Sequence, residues 1–315
     1  MNRDDFWHSS DSGFNWVQTV FEFAVLPRMK PKSDQASMFY PFFALSPGDD
    51  SALNYTDSRS GDTIEITSQK DVGRATIEDR DLLLFVITYA AREANRNPAD
   101  WMTSRRVRFR LGDYFEFTGD KTQPTRLPGG KIKPGKSPGG KQIKKVESAL
   151  NRLTGTRIKT TVTIDGKRQT AWESLLPYAS ITEPMLRQRG RGHAIWVEVQ
   201  LCDWLYGAIL AQTELLTIDP DYFQLRPLER RVYDIARKFC GHQSGWNIGH
   251  ERLLELIGSR QAKKHIMAEL REIAAHQRLP EYTIQILPDT VAFKSKPKLA
   301  AKTARSAPLP DHEYD

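Results

Sequence analysis

Cysteine is scarce in this chain: Cys202 and Cys240 are the only two among 315 residues. Two thiols cannot make the cross-linked framework of a small secreted domain, so they read as buried core thiols of a reducing compartment, and the chain as cytoplasmic. Long apolar runs are missing too. No stretch approaches the roughly eighteen apolar residues that a membrane-spanning helix needs, so no membrane partner is expected. Met1–Val20 sets Asp4, Asp5 and Asp11 among Trp7 and Trp16, which is not the pattern of a secretory leader. Histidine is sparse, with seven residues and no His-x-His pair, which argues against a metal-dependent strand-nicking site. Cys240, Gly241, His242 and His250 match no common zinc spacing, and a helix end explains them; no metal or cofactor is expected.

What is present suits a globular chain. Hydrophobic residues make up 39% and aromatics 10%, enough for two modest domains with their own cores. Lys and Arg outnumber Asp and Glu by 46 to 39, a formal charge of +7 that favours a polyanionic partner. Residues 1–35 show no sustained period and read as a flexible N-terminal extension. Pro47–Gly61, Asp120–Gly140 and Pro297–Asp315 read as irregular, the last as a disordered tail, because such compositions bury too little apolar surface to offset ordering.

Between these lie two segments with one plan, 36–210 and 211–296. In the first, Asp79 is placed to cap a helix whose stripe is Leu82, Leu83, Phe85, Val86, Tyr89 and Ala90. A second amphipathic helix over Lys141–Leu153 turns Ile143, Val146, Leu150 and Leu153 inward. Ile158, Thr160, Val162 and Ile164 then alternate at strand period, and Asp165-Gly166 is a hairpin turn signal. In the second segment Val232, Tyr233, Ala236, Phe239 and Cys240 form a stripe ended by Gly241, and a short helix over Arg252–Ile257 ends at Gly258. Ser259 is placed to cap a helix over Arg260–His276 that buries Ala262, Ile266, Leu270 and Ile273. Tyr282, Ile284 and Ile286, then Val291 and Phe293, alternate on either side of Pro288-Asp289. Helix, turn, basic helix and hairpin make a winged-helix unit, so the expected fold is α+β with two of them in tandem.

In such a unit the last helix enters the major groove and the hairpin reaches backbone or minor groove. On the first helix, Lys141, Lys145, Ser148 and Arg152 project opposite the apolar stripe, flanked by Lys144 and Asn151. Lysines suit phosphates, whereas Ser, Asn and Arg can read base edges. Lys131, Lys133 and Lys136 precede this helix in a run from Lys121 to Lys145 that holds no acid. Arg157, Lys159, Lys167 and Arg168 belong to the expected wing. On the second unit Lys264 and Arg271 project outward, with Arg260, Gln261, Lys263 and His265 beside them and Glu269 and Glu272 diluting the charge. Gly130–Ser137 matches the phosphate-loop pattern G-x-x-x-x-G-K-[ST]. That chemistry needs a buried strand before the loop and a helix opening at the Lys-Ser, and the Thr122–Pro128 and Pro138-Gly139-Gly140 flanks offer neither. Tyr233 lies on an apolar helix face and reads as core.

Several short motifs resemble, in the right order, the plasmid replication initiator protein A family. They are Phe39–Ser46, Gly73–Leu82, Ala149–Thr156, Leu215–Asp219 with Tyr222–Leu225, and Leu228–Lys238, spanning about Met38 to Phe293. Arg74 stands where the family pattern leads one to expect an apolar residue, and the Lys-rich loop before Lys141 is longer than usual. The resemblance implies a non-enzymatic initiator that binds repeats of an origin in double-stranded DNA. It also implies host replication proteins such as a helicase or initiator as partners, and a homodimer that represses its own promoter. A plain transcriptional repressor on the same fold is the alternative.

Overall fold

The structure is a computed structural model that describes residues 29–56, 61–96, 105–120, 125–126, 132–133, 139–164, 167–183 and 195–297. The chain opens with β1 (Lys32–Asp34), α1 (Gln35–Phe39), β2 (Leu53–Thr56), β3 (Thr63–Ser68) and α2 (Arg80–Arg96). Then come β4 (Arg106–Arg110), α3 (Leu111–Phe117), β5 (Thr125–Arg126), β6 (Ile132–Lys133) and α4 (Gly140–Gly155). These are followed by β7 (Thr156–Ile164), β8 (Lys167–Ser174), β9 (Tyr178–Thr182), β10 (Trp196–Gln200) and α5 (Asp203–Ala211). After β11 (Leu215–Thr217) and a 3₁₀ turn over Pro220–Gln224 come α6 (Pro227–Phe239), β12 (Trp246–Gly249), α7 (His250–Ile257), α8 (Lys263–His276), β13 (Tyr282–Ile286) and β14 (Thr290–Ser295).

Two units share one connectivity. The second runs α6, β12, α7, α8, β13, β14, with its antiparallel sheet in the order β12-β14-β13. The first runs α2, β4, α3, α4, β9, β10, with its sheet in the order β4-β10-β9. Both are winged-helix units, with the early strand hydrogen-bonded to the last. Between α4 and β9 the first unit carries an insertion, the β7-β8 hairpin, which joins β2 and β3 in a separate four-stranded sheet ordered β2-β3-β7-β8.

That insertion corrects the expected wing. The strand after α4 is β7 as expected, and Ile164 pairs with Lys167, the register that a two-residue connection requires. Asp165 and Gly166 themselves lie outside the described residues. Yet the strands in the wing position are β9 and β10, because only they complete a sheet with β4. Arg157, Lys159, Lys167 and Arg168 therefore lie on the inserted sheet. Sequence distance hides this: β4 and β10 meet across a long separation that no local period reports.

Each unit has its own core. In the first, Leu82, Phe85 and Val86 of α2 pack with Val107, Phe109, Leu150, Leu153, Val197 and Ile209. In the second, Val232, Tyr233, Leu253, Ile266, Leu270, Ile284 and Phe293 close together, joined by Met38 and by Leu84 from the other side of α2. Every residue from Leu82 to Thr88 is buried, as a helix enclosed on all sides must be. Each such apolar side chain is worth roughly 1.5–3 kcal/mol of burial.

Four further expectations are revised. The extension was expected to run to residue 35, but Lys32–Asp34 pairs with Leu215–Thr217, and Asp34 caps α1 by accepting from Ser37 N at 2.6 Å. Residues 1–28 and 298–315 lie outside the described residues. Pro47–Gly61 is irregular by composition, yet Leu53–Thr56 is a strand whose partner, Thr63–Ile66, supplies the order its short sequence does not announce. Inside the expected basic loop, Thr125 pairs with Lys133 and Arg126 with Ile132. Ser259 does not cap α8: its Oγ accepts from Gln261 N at 3.2 Å within the turn, α8 begins at Lys263, and Ala262 is exposed rather than buried.

Candidate nucleic-acid interface

Helix α4 opens at Gly139, whose N–H donates to Gln142 Oε1 at 3.0 Å, so one end group of the first turn is satisfied from within. Val146, Ala149, Leu150 and Leu153 face the core. The opposite surface exposes Lys141, Lys144, Lys145, Ser148 and Asn151. Lys145 Nζ lies 3.3 Å from Glu78 Oε2, both half-exposed, a weak surface pair that leaves the ammonium accessible. Lys131 and Lys136 lie outside the described residues, and of Lys133 only the backbone, in β6, is described.

Arg152 is a correction. Its position on the helical wheel points outward, but its guanidinium turns to Asp79, with Nε to Oδ2 and Nη2 to Oδ1 both at 2.7 Å. The long side chain reaches a buried carboxylate that a wheel drawn from Cα positions cannot register. Asp79 also accepts from Thr76 N at 2.7 Å, while Thr76 Oγ1 accepts from Asp79 N at 3.2 Å, a reciprocal box that starts the turn leading into α2. Asp79 is therefore not the N-cap expected of it: Thr76 fills that position, and Asp79 closes the box from the third position while anchoring Arg152.

On α8 the exposed residues are Lys263, Lys264, His265, Ala268 and Arg271, with Glu269 and Glu272 among them. Lys263 is paired with Glu251 at the start of α7. Gln261 is exposed in the turn before α8, and Arg260 Nη2 there donates to Ala52 O at 3.2 Å, tying the second unit to the chain entering β2. On the inserted sheet Lys159 pairs with Glu65 at 3.1 Å; Arg157, Lys167 and Arg168 are exposed, and so is Trp172, at 60%.

Two features escaped the sequence reading. One is β4, where Arg106, Arg108 and Arg110 alternate with Val107 and Phe109. The strict period of two in Arg-Val-Arg-Phe-Arg is a strand signal that could have found it. The other is the connection between β9 and β10, whose sequence carries Arg187, Arg189 and Arg191 with no acid from Pro184 to Ala194.

The four residues Glu78–Asp81 join the two units. Glu78 meets Lys145 and Asp79 meets Arg152, both on α4. Arg80 and Asp81 instead meet Asp234 at 2.5 Å and Arg230 at 2.7 Å, both on α6. Burial pushes the Asp81 carboxyl up to about 6, against the pull of Arg230. Tyr222 Oη accepts from Arg80 Nη1 at 2.7 Å, and Ser33 Oγ from Arg80 Nη2 at 2.6 Å. Arg231 completes the joint by donating to the carbonyls of Met38 and Phe39, each at 2.8 Å. Tyr233 is fully buried and its hydroxyl donates to Glu281 at 2.6 Å, which accounts for it as core.

Among the described residues no group of three His, Cys, Asp or Glu is placed to hold a metal ion, and no helix is long and apolar enough to cross a membrane.

The family model for replication initiator protein A matches residues 32–127 and 132–284 of this chain. A protein of Wigglesworthia glossinidia brevipalpis named "Putative replication protein" is 27% identical over 269 residues, covering 84% of this chain and 89% of its own length. A crystal structure of domains 2 and 3 of RctB superposes with a TM-score of 0.56 at 11% identity, covering 84% of this chain and 98% of that one. A second structure of the same domains gives 0.51 at 10% identity, with 80% and 92% covered. At such identities the likeness is one of fold.

Proposed function

The chain belongs to the replication initiator protein A family, and from that premise we propose that it starts replication by binding repeated sequences of a plasmid origin as double-stranded DNA. The observation that carries this reading is the duplicated winged-helix unit whose α4 exposes Lys141, Lys144, Lys145, Ser148 and Asn151 on one surface. In this reading α4 and α8 enter successive major grooves about one helical turn apart. Lys141, Lys144 and Lys145, together with Arg157, Lys167 and Arg168 on the inserted sheet, neutralise phosphates, which sets affinity without choosing sequence. Ser148 and Asn151 read base edges, and Asn suits adenine. On α8 Lys264, His265 and Arg271 do the same work at lower charge density. Arg152 is left out of the reading set, because Asp79 holds it. The protein acts in the cytoplasm by binding and recruitment rather than by catalysis, bringing host replication proteins such as a helicase to the origin, and as a homodimer it represses its own promoter.

Footprinting of the purified protein on its own replicon at physiological salt tests this. Protected direct repeats beside an AT-rich stretch are expected; a lone inverted repeat at a promoter would make the protein a repressor. Within the repeats, Asn151→Ala relaxes preference at one base pair by about 1–3 kcal/mol. Lys144→Ala weakens specific and random DNA alike and lowers the salt slope by about one. Equal effects of both substitutions on specific and random DNA would refute this division of roles.

A further inference from the structure

We propose that the outer face of the β4-β10-β9 sheet is a second nucleic-acid site, one that holds single-stranded DNA. The sheet has two chemically distinct faces. Val107, Phe109, Val197 and Val199, none more than 1% exposed, point into the core that also anchors α4. Alternation therefore sends Arg106, Arg108 and Arg110 to the other side, with Trp196 and Glu198 from β10 and Tyr178 from β9. The face is thus separate from the exposed surface of α4.

Its arginines lie over its aromatic rings. The Arg108 and Arg110 guanidinium groups lie 5.0 Å and 5.4 Å from the centre of the Trp196 ring, and that of Arg106 lies 4.9 Å from the Tyr178 ring. Glu198 holds Arg106 at 3.0 Å. Such cation–π contacts hold flexible arginines in place over the sheet. Three arginines spaced two residues apart stand about 6.7 Å from one another along the strand. With Glu198 the one acid among the β4 and β10 residues on this face, the arginines give it an excess of positive charge that an extended phosphate backbone complements.

Single-stranded DNA fits this face better than a duplex or a second copy of the chain. A flat sheet has no protrusion to enter a groove, and a duplex hides the base faces. Unpaired bases stack on guanidinium and aromatic planes without regard to sequence. Two copies packed through this face would set three arginines against three. The proposal rests on the reading that the chain acts at an origin, where opening the duplex exposes a strand to be held.

The test uses the full-length chain, a labelled oligothymidylate of about 16 nucleotides and an origin duplex fragment in separate titrations. The oligonucleotide is expected to bind and to quench a tryptophan signal that Trp196→Phe removes. The triple change Arg106→Ser, Arg108→Ser, Arg110→Ser lowers its affinity at least tenfold and leaves the duplex footprint intact. Arg108→Lys, which keeps charge and loses the plane, gives an intermediate loss. Duplex binding without oligonucleotide binding overturns this proposal alone, whereas oligonucleotide binding without a footprint supports it and counts against the origin reading. Equal loss of both ligands in the triple variant, or a change in sedimentation showing that the face joins two copies, also overturns it.

Discussion

Arg152 and Asp79 form two parallel hydrogen bonds of 2.7 Å, with the Asp79 side chain 1% exposed and that of Arg152 18%. A planar guanidinium matched to a carboxylate is among the stronger charged contacts, and the hydrogen bonds to Asp79 hold the Arg152 pKa above its ordinary value. Removing the arginine strands a buried carboxylate that still accepts from Thr76 N. Arg152→Ala is therefore expected to lower folding stability by about 3 kcal/mol in urea unfolding, while base preference in a footprint stays unchanged for the fraction that folds. A relaxed base preference at full stability would return Arg152 to the reading face. Arg74 shows the same principle from another side. It is buried where an apolar residue was expected, and Asp49 meets it at 2.6 Å. Its Nε and Nη1 have no hydrogen-bond partner among the described residues, so the substitution is only partly compensated.

At the scale of elements, the turn between α7 and α8 depends on one glycine. Gly258 has φ +65°, and a Cβ there would stand 2.3 Å from Pro41 Cβ and 2.9 Å from its Cγ. Strain in the left-handed region and collision with a ring that cannot swing aside act together. Gly258→Ala is expected to cost at least about 2 kcal/mol, read as a lower melting temperature, with weaker protection of the half-site that α8 occupies. An unchanged melting temperature would mean that the chain entering β2 yields freely. This glycine was legible as a helix stop because αL termini favour glycine, but its contact with Pro41, far away in the chain, was not. The same division runs through the fold. Leu82–Ala90, Lys141–Leu153 and Tyr282–Phe293 announce themselves by local period and were found. β12, β2 and the true wing β9-β10 are short or separated from their partners, and their order comes from pairing rather than from their own residues. Most of the α4 surface was legible for the same reason as its stripe. The β4 arginines carry a visible period of two, but they fall outside the helix and wing that the local pattern marks as a site.

At the scale of the whole molecule, a buried polar joint fixes one unit against the other within an apolar seam that includes Met38 and Leu84. Arg80 and Asp234 are almost wholly buried and 2.5 Å apart, yet Arg80 Nε and Asp234 Oδ1 find no partner among the described residues. Burial pushes the Asp234 carboxyl up while Arg80 pulls it down. Desolvating two charges costs several kcal/mol, and an incompletely hydrogen-bonded pair recovers only part of it. Such a joint is poor at adding stability but strict about geometry, since the charges are compensated in one arrangement only. Arg80→Met alone leaves Asp234 buried and unpaired and is expected to cost about 3–5 kcal/mol, turning a single calorimetric transition into two. Arg80→Met with Asp234→Leu removes both charges and should regain most of that loss, because apolar replacement of a buried pair is often neutral. The double variant then separates stability from geometry. On origin fragments with a few base pairs inserted between half-sites, the natural protein is expected to lose protection of one half-site, while the double variant, its units no longer held in register, keeps both. If the double variant remained as intolerant of spacing as the natural protein, the register would have to come from β1-β11 and the Arg231 carbonyl contacts instead.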